Sequence, residues 1–335
     1  MLHTALCDLL EIRHPIIQGG MGPNDTTNLA IAVCRAGALG TLSSCPTVAP
    51  YATTRRQIQR LLEETDAPFA VNQVVKAPEA RERIRAVLDA RDADPAVRRR
   101  LRAVITSGGN PAVFAALRAS GLLHIHVVPT VHHARKAVAA GCQLVIAEGY
   151  ESGGHVAYEP VHSLVLVPAV VDAVPVPVVA AGGFCDGRGL AAALAFGAVG
   201  IQMGSRFYLS AEADFAHPNI QNALVAARET DTLIVPGVYG PNRHWRNARG
   251  EELRRLSETR APQAEIQQLK EEGHEARLAG DVERAAVPIG MVVGRLSQVE
   301  RVAAIVEGIV AEAERTIGGL QSHLAPGVGS DCAPE

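Results

Sequence analysis

Residues 178–205 read VVAAGGFCDGRGLAAALAFGAVGIQMGS. Two short apolar runs, Val178 to Gly183 and Gly200 to Ser205, each close on a glycine-containing turn next to a helical segment. Runs that are apolar throughout, without polar alternation, belong to strands buried on both faces, as in a parallel sheet covered by helices. Working outward, the same unit recurs at Pro15 to Gly20, Leu39 to Ser44, Phe69 to Val75, Ala103 to Gly108, Leu122 to Pro129 and Leu144 to Gly149, which completes a set of eight. Between them, stretches such as Thr53 to Glu64, Ala80 to Arg91 and His132 to Ala140 carry apolar residues at helical spacing with charges on the other face. Eight alternating βα units are the number that closes an α/β (β/α)8 TIM barrel. A doubly wound open sheet is the alternative. Closure is favoured because Gly, Ser, Asn and His gather at the C-terminal ends of several strands, where a barrel keeps its active site, and not after one strand alone.

A chain of 335 residues holds one barrel of roughly 250 residues with an appendage. Residues 1–206 form the expected barrel. Beyond Arg206, Phe215 to Glu229 reads as helical, Thr232 to Arg249 as irregular and Glu251 to Arg284 as a highly charged helical stretch, so a small, mainly helical cap is expected over 207–290. The charged stretch covers the pocket, meets another subunit in a homodimer, or is a solvated face. Val299 to Ile317 is amphipathic and is expected, within 291–317, to return to the barrel's outer ring; residues 318–335, rich in Gly, Ser and Pro, read as a flexible tail.

Composition narrows the partners. Hydrophobic residues make up 47% and aromatics only 4%, so the core is mostly Ala, Val, Leu and Ile. The net charge of −3 comes without a Lys/Arg stripe interleaved with aromatics, which argues against nucleic acid and for a small-molecule substrate. The six cysteines form no CxxC pair, so neither a metal site nor a disulfide framework is expected. No apolar segment reaches membrane-spanning length, and the opening MLHTALCDLL lacks a secretory pattern, so the expected location is the cytoplasm. Asn24-Asp25-Thr26 then matches the glycosylation pattern by chance.

The turns Ala181-Gly182-Gly183 and Met203-Gly204-Ser205 follow the last two strands, where barrels often bind a phosphate on backbone N–H groups and a helix N-terminus. Singly, each is equally well a tight βα turn. Gly182 to Gly189 has the wrong spacing for a dinucleotide fingerprint, and no phosphate-loop motif occurs. The sixth strand ends Glu148-Gly149-Tyr150-Glu151-Ser152-Gly153-Gly154-His155, which brings a histidine suited to proton transfer to the catalytic face, or one that merely tethers the loop. His124 and His126 alternate within a strand and read as packing or supporting residues; His132 and His133 read as a polar helix start. Gln18-Gly19-Gly20-Met21-Gly22-Pro23 and Asn72-Gln73 could meet a flat heterocycle by backbone amides and side-chain amides, or be ordinary turn chemistry.

Together, AEGYESGGHVA at 147–157, PVVAAGGFCDGRGLAAALAFGAVGIQMGSRF at 177–207, PIIQGGMG at 15–22 and FAVNQ at 69–73 resemble the FMN-dependent family of nitronate monooxygenases and flavin-dependent enoyl-ACP reductases. The resemblance runs from about Pro15 to the helix before Ile317 and is weakest in the charged cap. It implies an FMN phosphate at Gly182, Gly183, Gly204 and Ser205. It implies the isoalloxazine near Gly20, Met21, Gly22, Asn72 and the Glu148-Gly149 turn, and His155 as the catalytic histidine. The implied activity is either oxidation of alkyl nitronates with O2 or reduction of an activated C=C bond, thioester-linked substrates included, with NAD(P)H as electron donor. Thr106-Ser107-Gly108-Gly109-Asn110-Pro111 and Ala216-His217-Pro218-Asn219 lean toward the reductase branch. Ala157 stands where many relatives have glycine and Ser205 where many have threonine; the hydroxyl is kept. The alternatives are a non-redox barrel lyase or isomerase using the same turns for a phosphorylated substrate, and a flavin-binding partner protein without turnover.

Overall fold

The eight apolar runs are eight parallel strands in the computed structural model, which describes residues 2–43, 49–237, 239–259 and 261–323. In chain order these are β1 (Ile16–Gln18), β2 (Gly40–Leu42), β3 (Phe69–Val74), β4 (Leu101–Ser107), β5 (Leu123–Val128) and β6 (Leu144–Glu148), then, after the short β7 (Gly154–His155), β8 (Val178–Ala181) and β9 (Ile201–Met203). The sheet runs β1-β9-β8-β6-β5-β4-β3-β2. Its two ends meet: Ile17 bridges Leu39 in parallel, and the Gln18 N–H donates to Leu39 O at 3.0 Å. The buried Gln18 side chain also staples this seam. Its Nε2 donates to Thr41 O at 3.0 Å and its Oε1 accepts from Thr41 N at 3.1 Å, doing for β1 and β2 what a longer strand ladder would do. The open-sheet alternative is therefore excluded by a closed barrel.

Alternation along the strands divides the core. Ile17, Ala70, Ile105, Ile125, Ile146 and Val179 pack together inside the barrel, while Phe69, Val71, Val104, Val145, Ala180 and Ile201 face the outer helices. A helix that the sequence periodicity does not mark, Ala5–Leu10, sends Leu6 and Leu10 into the inner cluster and seals the N-terminal end of the barrel. The final helix, Val302–Gln321, buries Val302, Ile305, Val306, Ile309, Val310 and Ala313 at helical spacing. Gly187 lets it approach: a Cβ there would stand 2.4 Å from Ala313 N. This helix continues past Ile317, so residues 318–321 are helical rather than tail, and 324–335 lie outside the described residues. Ser44, Cys45 and Cys332 do too, while Cys7, Cys34, Cys142 and Cys185 are buried free thiols. Among the described residues no helix is long and apolar enough to cross a membrane.

The cap differs from expectation. Thr232 to Arg249, read as irregular, contains an antiparallel hairpin, β10 (Thr232–Pro236) with β11 (Pro241–Trp245), and β11 also pairs with β7 through Asn242↔His155 and Arg243↔Gly154. The mainly helical cap is thus a three-stranded sheet with helices Pro218–Val225, Ala248–Glu258 and Gln263–Leu278. The charged stretch is two helices, the second starting directly after Pro262. Leu233, Val235 and Leu253 anchor this sheet to its helices, with Leu269 packed alongside.

Candidate active site

A cavity of about 1720 Å³ lies at the C-terminal ends of the barrel strands, between them and the β7–β11 sheet and helix Gln263–Leu278 of the cap. All eleven residues singled out in the sequence line it: Gly20, Met21, Gly22, Asn72, Glu148 and Gly149; Gly182, Gly183, Gly204 and Ser205; and His155. Five barrel strands, β1, β3, β6, β8 and β9, bring ten of them together at or near their C-terminal ends, and β7 adds His155. Gln73 does not join them. It points the other way from Asn72, and its Oε1 accepts from the buried Arg83 Nε at 3.0 Å. A smaller cleft of about 350 Å³ at the opposite end, lined by Asp8, Arg91 and Arg102, holds none of these groups.

The two glycine turns sit side by side because β8 and β9 are paired, Ala181 opposite Gln202. Gly182 and Gly183 have φ of +86° and +83°, which favours glycine, and a Cβ on Gly182 would stand 2.6 Å from Gly149 O. Ser163 braces this contact. Its Oγ donates to Gly182 O at 2.6 Å, while its N–H is held by both Glu151 carboxylate oxygens at 3.1 Å. At the second turn, Ser205 Oγ accepts from Gly290 N at 2.9 Å, leaving its own proton to donate, and a Cβ on Gly204 would meet nothing within 4 Å. Two Cβ-free turns and a hydroxyl form a cradle that a phosphate fits.

Further along the cavity Gly20 lies directly over Asn72, whose Oδ1 would be 2.3 Å from a Cβ at that position. The Met21 N–H is held by Ser43 Oγ at 2.7 Å. Gly19, Gly20 and Gly22 line this stretch of the cavity with backbone alone. Glu148 stands beside it, and burial pushes its carboxyl up to about 7. His124 and His126 share the Thr106 hydroxyl, Nε2 at 2.8 Å and Nδ1 at 2.7 Å, and burial lowers both to about 4, so they are neutral supports of the β4–β5 wall.

His155 stands on β7 against Tyr239, ring centroids 5.5 Å apart. Its ring opens onto the cavity with much of its area accessible, yet the enclosing walls, then Lys270 and Lys76, lower its pKa to about 4. His155 is neutral at physiological pH and able to take up a proton or pass one on.

Several lining residues carried no mark in the sequence motifs. The chain has three lysines, Lys76, Lys136 and Lys270, against 29 arginines, and all three lysines line this one cavity. Burial alone lowers Lys270 to about 8, with no carboxylate offsetting it. Arg277, 2% exposed, also lines the cavity and bonds to Asn24 Oδ1 and His274 Nδ1, both neutral acceptors. Asn242 and His244 add neutral polar groups from β11. The scarcity of lysine was the one available signal. Among the described residues no cluster of His, Cys, Asp or Glu could hold a metal ion.

A model of the nitronate monooxygenase family matches residues 3–312. The "(3aS,4S,5R,7aS)-5-hydroxy-7a-methyl-1-oxo-octahydro-1H-indene-4-carboxyl-CoA dehydrogenase" of Rhodococcus jostii is 38% identical over 240 residues, 71% of this chain and 64% of that protein, so the match leaves over a third of that relative uncovered. Among solved structures, FabK from Thermotoga maritima superposes with a TM-score of 0.88 at 34% identity, covering 97% of this chain and 100% of that one. A nitroalkane oxidase from Streptomyces ansochromogenes gives 0.78 at 28% identity, covering 95% and 100%. With the barrel, its cavity and a family model spanning nearly the whole described chain in agreement, the protein belongs to the nitronate monooxygenase family and is a flavin-dependent oxidoreductase of the nitronate monooxygenase and enoyl reductase type.

Proposed function

We propose that this chain is an FMN-dependent oxidoreductase acting at the carbon–carbon bond conjugated to the carbonyl of an acyl thioester, exchanging electrons with NAD(P)H. The observation that carries this reading is the gathering of all three lysines in one cavity of about 1720 Å³. A single-ligand pocket occupies roughly 300–1,000 Å³. A flavin and a small nitronate would leave much of this cavity empty, whereas a coenzyme-linked thioester fills it and carries phosphates for the lysines. The Rhodococcus relative is named for a carboxyl-CoA substrate, and FabK is an enoyl-ACP reductase, which points the same way.

FMN suits the site better than a dinucleotide, since one phosphate cradle is built and no dinucleotide fingerprint exists. Gly182, Gly183, Gly204 and Ser205 would hold its phosphate, and Gly20, Met21, Gly22, Asn72, Glu148 and Gly149 would border its ring. Bound FMN supplies hydride and electron transfer. The chain's own part is to hold the thioester across that ring, to exclude water with the cap, and to move one proton. In the oxidative direction the neutral, cavity-facing His155 would accept the proton of the carbon next to the carbonyl; in the reductive direction it would first take up a proton from solvent and then deliver it to that carbon. Lys270 supplies positive potential where negative charge gathers.

Nitronate oxidation is the second reading, favoured by the likeness to the nitroalkane oxidase. Anaerobic visible absorption of the purified protein separates the two. Bleaching of the flavin band by NADH or NADPH, and its recovery on adding an enoyl thioester, is the expected result. Bleaching by a nitronate and by neither nicotinamide would replace the thioester reading with nitronate oxidation. Absence of a flavin band after FMN is supplied would remove both.

A further inference from the structure

β11 carries its side chains alternately to two faces. Antiparallel partners share a face, so the pairing Asn242↔His155 puts Asn242 on the side of His155, and His244, two residues on, joins them. All three line the cavity. The intervening Arg243 turns the other way, to Thr232 Oγ1 at 3.0 Å and Tyr150 O at 2.9 Å. Asn242 and His244 are 5% and 3% exposed, and neither side chain makes a hydrogen bond among the described residues.

The unpartnered atoms are informative. One atom of each, Asn242 Oδ1 and His244 Nδ1, is sealed from solvent with no partner. A sealed, bare acceptor is tolerated better than a sealed N–H donor, which native proteins almost never leave orphaned. The proton of His244 therefore belongs on Nε2 and the NH2 of Asn242 on its unsealed side, both toward the cavity. Burial and the neighbouring Lys270, Arg277 and His155 keep His244 well below its ordinary value, so it donates as a neutral imidazole. The two neutral donors thus spring from backbone positions roughly 7 Å apart on one strand face, the spacing of residues i and i+2, in the potential of Lys270.

We propose that His244 and Asn242 form an oxyanion-binding pair that holds the substrate oxygen conjugated with the reacting carbon, beside the proton-exchanging His155. This deepens the thioester reading and rests on it. Negative charge grows on that oxygen whichever way the redox reaction runs, and preorganised donors aimed at developing charge are worth about a hundredfold or more in rate each. The pair explains why two buried polar side chains turn unpartnered donors toward the cavity.

The test uses the oxidised holoenzyme without nicotinamide, so that no turnover occurs. Crotonoyl-CoA labelled at the carbonyl carbon is bound, and the carbonyl stretch is read by difference infrared spectroscopy in wild type, His244→Phe, Asn242→Leu and His244→Gln. The wild-type stretch is expected to fall relative to free thioester. It should return most of the way in His244→Phe and Asn242→Leu and stay low in His244→Gln, which keeps a donor. Steady-state kcat should fall about a hundredfold in His244→Phe with a smaller change in KM. A wild-type carbonyl shift in His244→Phe and Asn242→Leu with flavin still bound overturns the proposal. Loss of flavin from both, with the shift kept in the fraction still loaded, assigns the donors to the flavin and overturns it as well. Wild type that fails to bind crotonoyl-CoA defeats the thioester reading instead. The pair is then judged on the N–O stretch of bound ethyl nitronate in the same variants, and an unchanged stretch refutes it.

Discussion

Gly204→Ala separates ligand binding from folding at the phosphate cradle. Gly204 has φ −104° and ψ −66°, a conformation alanine adopts without strain, and its added methyl would meet no protein atom within 4 Å. The apo protein should therefore keep its stability or gain about 0.4–1 kcal/mol from the stiffer unfolded chain. The same methyl projects where a phosphate oxygen would accept backbone hydrogen bonds. Displacing one charge-assisted hydrogen bond costs about 1.5–3 kcal/mol, roughly ten- to a hundredfold in Kd. The assay is titration of apo protein with FMN, followed by quenching of flavin fluorescence, beside a urea unfolding curve of the apo form. Unchanged Kd with unchanged stability would refute a phosphate at this turn. Gly182→Ala is the contrasting control: at φ +86°, with its Cβ 2.6 Å from Gly149 O, it should weaken FMN binding and destabilise the apo protein together.

His155→Ala should leave flavin bound while turnover falls by about a hundredfold or more, as on losing a general acid or base; unchanged turnover removes His155 from the chemistry. Glu148 titrates in the folded apo protein near 7, above its unfolded value of 4.5, so the native state binds the extra proton. Its stabilising effect is complete below 4.5 and is lost as pH rises through 7, and Glu148→Gln should flatten the apo protein's stability across that window. Urea midpoints at pH 5 and pH 8 that differ equally in variant and wild type would contradict this. Gln18→Leu leaves the buried Thr41 N–H without its 3.1 Å acceptor and should cost about 1–3 kcal/mol, seen as a lower urea midpoint with the slope unchanged.

The barrel was legible because burial on both faces leaves one signature, runs of Val, Ile, Leu and Ala, as in Ala103-Val104-Ile105 of β4, Leu144-Val145-Ile146-Ala147 of β6 and Val178-Val179-Ala180-Ala181 of β8. The eight observed strands lie within or overlap the eight apolar runs, differing by at most two residues at either end. The motif residues converge on one cavity for the same reason: each is tied to the end of a strand whose position the barrel dictates. The seam was not legible. Gln18 reads as part of a glycine turn, and only its two bonds to Thr41 reveal that it closes β1 on β2. Helix Ala5–Leu10 is too short for periodicity to distinguish from a loop.

The cap resisted reading for a different reason, and β11 shows it. Pro-Asn-Arg-His-Trp has neither the apolar run of a buried strand nor the apolar–polar alternation of a half-exposed one, although Asn242, Arg243 and His244 are all buried. One face is given to Arg243, which ties the hairpin to Thr232 and to Tyr150 O ahead of His155; the other is given to the cavity. A strand with hydrogen-bonding duties on both faces has no apolar side left to announce it, so local pattern and tertiary role part company where function is concentrated. The lysines behave in the same way. Lys76, Lys136 and Lys270 lie far apart in sequence, and each alone is an unremarked cation; only the closed barrel and its cap bring the three positions to one cavity. Lys270 is half-buried with its pKa lowered to about 8, so at that position of the lining a lysine can change protonation where an arginine, such as Arg277 in the same cavity, stays charged.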